Sequence, residues 1–314
     1  MKKYYKKIVF FLFATLLAFV TLSTSTLAWF SISQINYLDN LEVNIKSDVK
    51  MQISLDGQNY YDSINKQMIE EAIGKNIILD DVTTTDGINF ESLKEGSPKR
   101  YLSFNLYFKA DFEVADNLYL VDNYSKKYTY DYVKEHEING TCIISKGVTW
   151  TNPVSFNNGG EKELPKFSTN TYYASDAMRI GIRELNVNNE YLNNPDERTN
   201  EELASLIFDP SEDNTRGYAA LIGAYDYYKN YNDVTLPLPP IYPNTKYKLS
   251  TLLSNGKMDN DDSKIATFRL GKENNTMYKY ASIKVSIWLE GWDADCFDSI
   301  LGDEAIIQLK FMSA

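Results

Sequence analysis

Alternation of apolar and polar side chains is the dominant pattern in this chain. Leu41, Val43 and Ile45 alternate with Glu42, Asn44 and Lys46, and Val49, Met51, Ile53 and Leu55 resume the alternation. A period of two puts one face of a strand on a core and the other in water. Ser47-Asp48 lies between the two phases as a bulge or bend, and Asp56-Gly57 signals a tight turn. The cleanest predicted strand is Tyr101–Lys109, with Leu102, Phe104, Leu106 and Phe108 on one face. Tyr172–Leu185 is predicted as a long strand with Met178, Ile180 and Ile182 inward. Leu118–Val121 adds another strand, Tyr128–Val133 and Thr141–Val148 carry fainter strand patterns, and Ile265–Leu270, Ile283–Leu289 and Ile306–Phe311 close the chain. Helical spacing appears twice. Ser63–Ala72 has Ile64, Met68, Ile69 and Ala72 on one side. Thr199 opens a second segment with Glu202 as a capping box, Leu203, Leu206 and Ile207 as its face, and Pro210 as its stop.

Many strands, long loops and only two short helices predict a mainly-β fold, an antiparallel, jelly-roll-like β-sandwich. No fixed-period repeat is evident, and the region 41–314 reads as one domain with loop insertions. Leu236–Pro243 holds four of the nine prolines and reads as a stiff connector.

The first residues follow a different pattern. Lys2, Lys3, Lys6 and Lys7 precede an apolar run from Ile8 to Leu22, a Ser/Thr cluster, and the small residue Ala28. That order is a secretory signal, with cleavage between Ala28 and Trp29. Residues 1–28 are the leader and 29–40 an extended segment ahead of the domain. The alternative is a retained anchor, since Ile8–Phe30 is near the roughly 20 apolar residues a span requires.

Composition narrows the function. The formal charge of the 314 residues is −11, and the leader contributes only lysines to it. So acidic a chain repels nucleic acid. The 24 tyrosines suit strand faces or binding surfaces. For Cys142 and Cys296, export permits a bridge, while Thr141-Cys142-Ile143-Ile144 is equally natural around a buried thiol.

Candidate chemistry is sparse. The only histidine, His136, lacks the second histidine one helical turn away that a zinc protease needs. Asp259, Asp261 and Asp262 are calcium-type oxygens, but Leu270 and Gly271 stand where a calcium loop needs its distant Glu, so a solvated acidic turn is the simpler reading. No cofactor is expected. Asp293 and Asp295 beside Trp292 could hold a sugar by stacking and hydroxyl acceptance, or merely shape a turn. Tyr225, Tyr227, Tyr228 and Tyr231 could form an adhesive patch, or be core and rim of one irregular strand.

At Leu27-Ala28-Trp29-Phe30-Ser31, followed by Leu41-Glu42-Val43, the sequence resembles the signal region of the TasA/camelysin group. These are Gram-positive secreted proteins processed by a SipW-type signal peptidase. Ser175–Ile180, Ile207–Pro210 and Ile287–Cys296 resemble a looser branch of Firmicutes surface proteins carrying that signal. The resemblance implies a jelly-roll-like sandwich, biofilm-matrix or cell-surface location, self-association or contact with other matrix proteins, and no catalytic residues. The leading expectation is an exported, non-catalytic surface protein assembling by strand addition. An adhesin for cell-wall or host glycans or peptides is the alternative, and an extracellular hydrolase the third.

Overall fold

Alternating burial sorts most of the strands into two facing sheets, and Val148–Thr151 pairs with Thr169–Tyr172 as a separate ribbon. The computed structural model describes residues 36–314 except 46–49, 75–77, 94–97, 122–127, 137–139, 212, 219–220 and 238–240. The leader, the Ala28/Trp29 boundary and the Ser47-Asp48 bend lie outside the described residues. The strands are β1 (Asn36–Ile45), β2 (Met51–Ser54), β3 (Ser63–Ile64), β4 (Ile78–Leu79), β5 (Asp81–Thr83), β6 (Glu91–Ser92), β7 (Leu102–Asp111), β8 (Asn117–Leu120), β9 (Cys142–Ser145), β10 (Val148–Thr151), β11 (Thr169–Tyr172), β12 (Met178–Leu185), β13 (Ser205–Phe208), β14 (Thr245–Lys246), β15 (Lys264–Thr267), β16 (Arg269–Glu273), β17 (Thr276–Glu290) and β18 (Glu304–Ser313). Helices α1 (Lys66–Ile73), α2 (Tyr130–Glu135) and α3 (Ala224–Asn232) are short.

One sheet runs β15-β8-β18-β1-β3, with β4 on β1 and β9 on β18. The other is built on the fifteen-residue β17, which pairs antiparallel with β7 on one side and with β12 and β16 on the other. The inner faces meet in one core. Leu41, Val43, Ile307, Leu309 and Phe311 come from the first sheet, and Phe104, Phe108, Ile180, Ile283 and Val285 from the second. Phe108 and Phe311 meet edge to face at 5.2 Å. This is the mainly-β sandwich that the alternation predicts. Its sheets are not purely antiparallel: β1 runs parallel to β18, β5 to β17 and β14 to β13.

Several local expectations are corrected. Tyr172–Leu185 is not one strand: the single-turn 3-10 helix Ala174–Ala177 separates β11 from β12, which belong to different sheets, and Ile265–Leu270 is divided between β15 in the first sheet and β16 in the second. Tyr128–Val133 is not a strand; Thr129 caps Tyr132 N and the chain enters α2, burying Tyr130 and Val133 against Ile306. The segment after Thr199 is not a helix. Glu202 does accept from Thr199 N at 2.7 Å, the reciprocal half of a capping box. The chain then extends into β13, because Leu206 and Phe208 enter the core and Ile207 points to the opposite face. Strand pairing with β12 overrides the helical spacing. The tyrosine cluster at 225–231 is helix α3, not a strand. In addition, β1 begins at Asn36, so residues 36–40 pair within the domain rather than preceding it.

Two loops are conformational copies. Ser54-Leu55-Asp56-Gly57-Gln58-Asn59 and Thr84-Thr85-Asp86-Gly87-Ile88-Asn89 each fold around one aspartate. In both, Oδ1 accepts from the second and third residues onward at 2.8 Å, and the Asn Nδ2 donates to Oδ2 at 2.7 Å. The Ser or Thr hydroxyl accepts from the glycine N–H at 2.9 Å. Gly57 and Gly87 take φ +72° and +71°, where a side chain would strain the turn. Burial opposes ionisation of Asp86, but the Asn89 and Ile88 N–H groups hold it below the usual carboxylate range. Such a group stabilises above its unfolded pKa near 3.9, and that contribution is lost as pH falls through the lower folded value. We expect Asp86→Ala to cost about 1 kcal/mol at pH 7, after discounting for solvent screening. The difference from the parent should shrink as pH falls below the unfolded value near 3.9 in thermal unfolding.

Candidate functional site

The side of β12 and β17 that faces away from the core carries the densest polar chemistry. Period-two alternation points Met178, Ile180 and Ile182 inward, and so turns Arg179 and Gly181 outward. Trp288 lies opposite Arg179 in the β12–β17 register, and its ring covers Gly181, where a Cβ would come within 3.0 Å. Phe90, Val82 and Ile207 complete a small apolar cluster around Trp288. Beside it, Arg179 is sealed from solvent among three acids.

Arg179 Nη2 donates to Asp293 Oδ2 and lies 2.9 Å from Asp209 Oδ2, an approach of charge outside the hydrogen-bond direction. Nη1 donates to the Met178 carbonyl at 2.9 Å. Glu290 accepts from Trp288 Nε1 at 2.9 Å and Trp292 N at 3.2 Å. Burial would discharge Arg179, but Asp293 and Asp209 hold its proton more firmly than usual. Burial likewise pushes Asp209 and Asp293 up against the pull of Arg179. Glu290 is pushed up to about 7, first by burial. Three carboxyls around one guanidinium cannot all ionise cheaply in a dry site, and burial pushes Glu290, Asp209 and Asp293 all upward.

The covering loops fit closely. Gly217 lies over the pair; a Cβ there would come within 3.1 Å of Arg179 Nη2 and 3.0 Å of the Tyr247 hydroxyl. A second ion pair stands alongside: Arg216 binds Asp295 through two nitrogens at 2.7 and 2.6 Å, and Asn158 through its carbonyl and side-chain oxygens at 2.7 and 2.9 Å. A polar cleft of about 490 Å³ opens beside this pair, lined by Asn170, Tyr173, Asp176, Ser211, Asp213 and Asp295, among others.

The residues singled out in the sequence separate into two groups. Asp293 and Asp295 do lie at one centre, joined there by Asp209 and Arg179 from the other two quoted stretches. Trp292 is half-buried, with its Nε1 enclosed, and does not line the cleft. Tyr227 and Tyr228 are buried, and their hydroxyls donate to Asp298 at 3.0 and 2.9 Å, so they are core rather than an adhesive patch. Tyr225 packs on the same core. Cys142 and Cys296 are thiols, not a bridge. Cys142 packs with the α2 cluster on the outer side of the first sheet, whereas Cys296 is in the inter-sheet core. His136 is exposed and stacks on Tyr132. In the acidic loop, Asp259 accepts from Thr251 N, Asp261 from the Tyr119 hydroxyl, and Asp262 from Lys246. Arg179, Asp176, Asp209, Arg216 and Glu290 carry the centre and were not singled out as site residues. The available signal was a lone arginine between Met178 and Ile180 in an otherwise apolar strand.

Comparison with family models, with curated proteins and with solved structures finds no match to this chain. The site is therefore read from its own geometry. Arg179, Asp209, Asp293 and Glu290 each have a protein partner, although Arg179 Nε and Asp209 Oδ2 make no hydrogen bond, and the centre ties loops to the sheet.

A carboxyl whose folded pKa exceeds its unfolded one contributes stability below the unfolded value, and loses it as pH rises through the folded value. For Glu290 that window runs from 4.5 to about 7. We expect the unfolding midpoint to fall across this window and Glu290→Gln to flatten the fall. Asp293→Asn leaves Arg179 short of its closest partner and should cost roughly 3–5 kcal/mol in denaturant unfolding.

Proposed function

We propose that the chain is an exported, non-catalytic surface or matrix protein that assembles by strand addition through β1. The observation that carries this reading is the place of β1. It is the first strand described, yet it lies inside the first sheet, paired with β18 from Tyr37↔Glu304 to Ile45↔Phe311. On its other side it meets only the two-residue strands β3 and β4. Withdrawal of β1 exposes one full edge of β18 and the pockets of Leu41 and Val43. Only a strand of the same pattern fills both, and a second copy of the chain carries one.

The sequence reading supports the same picture. The leader pattern delivers the chain out of the cell, with a signal peptidase as its partner during export. The acids of the aromatic–acidic stretch are spent on Arg179 and Arg216. Other edges vary in length: β3, β4, β6 and β14 have two residues each, while β2, β9, β15 and β16 have four or five. Strand exchange through β1 differs from pairing at those edges because it opens core pockets as well as a strand edge.

Val43 and Leu309 are register partners across β1 and β18. With cysteines at both positions, oxidation at high protein concentration should give ladders of covalent oligomers. The same oxidation of dilute, freshly refolded protein should give intramolecular bridges. Monomeric bridges alone at every concentration would overturn the proposal.

A further inference from the structure

The polar cleft beside Arg216 has a charge balance that the protein does not complete. Arg216 is its cation, and that guanidinium is already engaged by Asp295 and Asn158. Asp176, on the single-turn 3-10 helix Ala174–Ala177, also lines the cleft. Among the described residues, no protein donor reaches the Asp176 carboxylate; Arg179 approaches only its main-chain carbonyl, at 3.5 Å. The neighbouring charges are mostly of the same sign. Asp295, Asp209 and Asp303 repel a charge on Asp176, and only Arg216 offsets them. Asp213 adds a further acid to the lining and spends one oxygen on Thr215.

We propose that this cleft binds a primary ammonium group on a small polar ligand, with Asp176 as the carboxylate that receives it. An anion meets an excess of acids and no available cation. A neutral ligand leaves Asp176 uncompensated. An ammonium supplies the missing charge and three N–H donors. The volume, about 490 Å³, is that of a small-ligand site. Asn170, Ser211 and Tyr173 supply amide and hydroxyl groups for a hydroxylated or amide-bearing body. That chemistry is shared by amino sugars and by peptides ending in or carrying a lysine amine.

The test uses the full chain and calorimetric titration with two probes, a glucosamine oligosaccharide and a short lysine-containing peptide. Each is paired with its N-acetylated form. At pH 7 the amine forms should bind and the acetylated forms should not. Binding of the sugar alone, the peptide alone or both identifies the source of the amine. Asp176→Asn should weaken binding at least tenfold. Its unfolding midpoint should not fall, since burial pushes Asp176 up to about 6 and the amide removes that cost. At pH 5 the amines stay charged while Asp176 takes a proton, so parent affinity should drop and the variant's should not. Asp295, Arg216, Asp209, Asp303 and Asp213 face the same space, so the variant's pH profile isolates Asp176. Failure of both amines to bind, equal binding of the acetylated forms, or unchanged affinity in Asp176→Asn overturns the proposal. The acetylation contrast decides without the variant if the variant does not fold.

Discussion

The parallel pairing of β1 with β18 is the contact on which the first sheet depends. It joins the first and last described strands across eight register positions and seats Leu41 and Val43 in the inter-sheet core. The rest of that sheet grows from this pair: β8 and β9 lie on β18, β3 and β4 on β1, and β15 joins through β8. The second sheet is organised differently. β17 alone spans it and accepts partners along both edges over its whole length. One sheet is therefore held by a continuous strand, and the other by a strand that arrives from the beginning of the chain. This asymmetry is the basis of the proposal that β1 exchanges between copies.

Buried carboxyls do the second organising job. Long loops carry many backbone N–H groups that a sandwich cannot pair within its ladders. Here acids reach in to take them. Asp303 accepts from Gly147 and Ala174, both at 2.8 Å, fastening two loops to the end of β18. Glu184 accepts from Ala204 and Thr267 while pairing with Arg198. Asp80 binds the Arg100 main chain and guanidinium together. The Arg179 centre is the most buried member of this set. Its excess of acid over base is tolerated because it fixes the Gly217 and Asp293 loops in one geometry.

Much of the fold was legible in the sequence, because a half-buried strand writes its period directly. Tyr101–Lys109, Ile283–Leu289 and Ile306–Phe311 needed no tertiary information. The misread segments are those where two periods coexist. Leu203, Leu206 and Ile207 fit a helical face, but Leu206 and Phe208 fit a strand as well, and only the neighbouring β12 decides. Tyr225–Tyr231 lacks the apolar alternation of a strand and the apolar stripe of a helix, and its buried hydroxyls are explained only by Asp298. The centre was legible in pieces. The stretches around Arg179, Asp209 and Asp293 each stood out, but their meeting depends on the β12–β13 and β12–β17 registers, which local sequence does not encode. Of the two Ser/Thr-x-Asp-Gly-x-Asn loops only Asp56-Gly57 was read as a turn, and their likeness emerged from their hydrogen bonds.

The central claim is that β1 separates from β18 more readily than the second sheet opens. Native-state hydrogen exchange, resolved along the chain, tests it most directly. The account predicts that β1 amides and their β18 partners exchange through an opening of lower free energy than that protecting β17. The opening should become rarer as assembly proceeds. Exchange of β1 and β17 at one common free energy, unchanged by protein concentration, would contradict it.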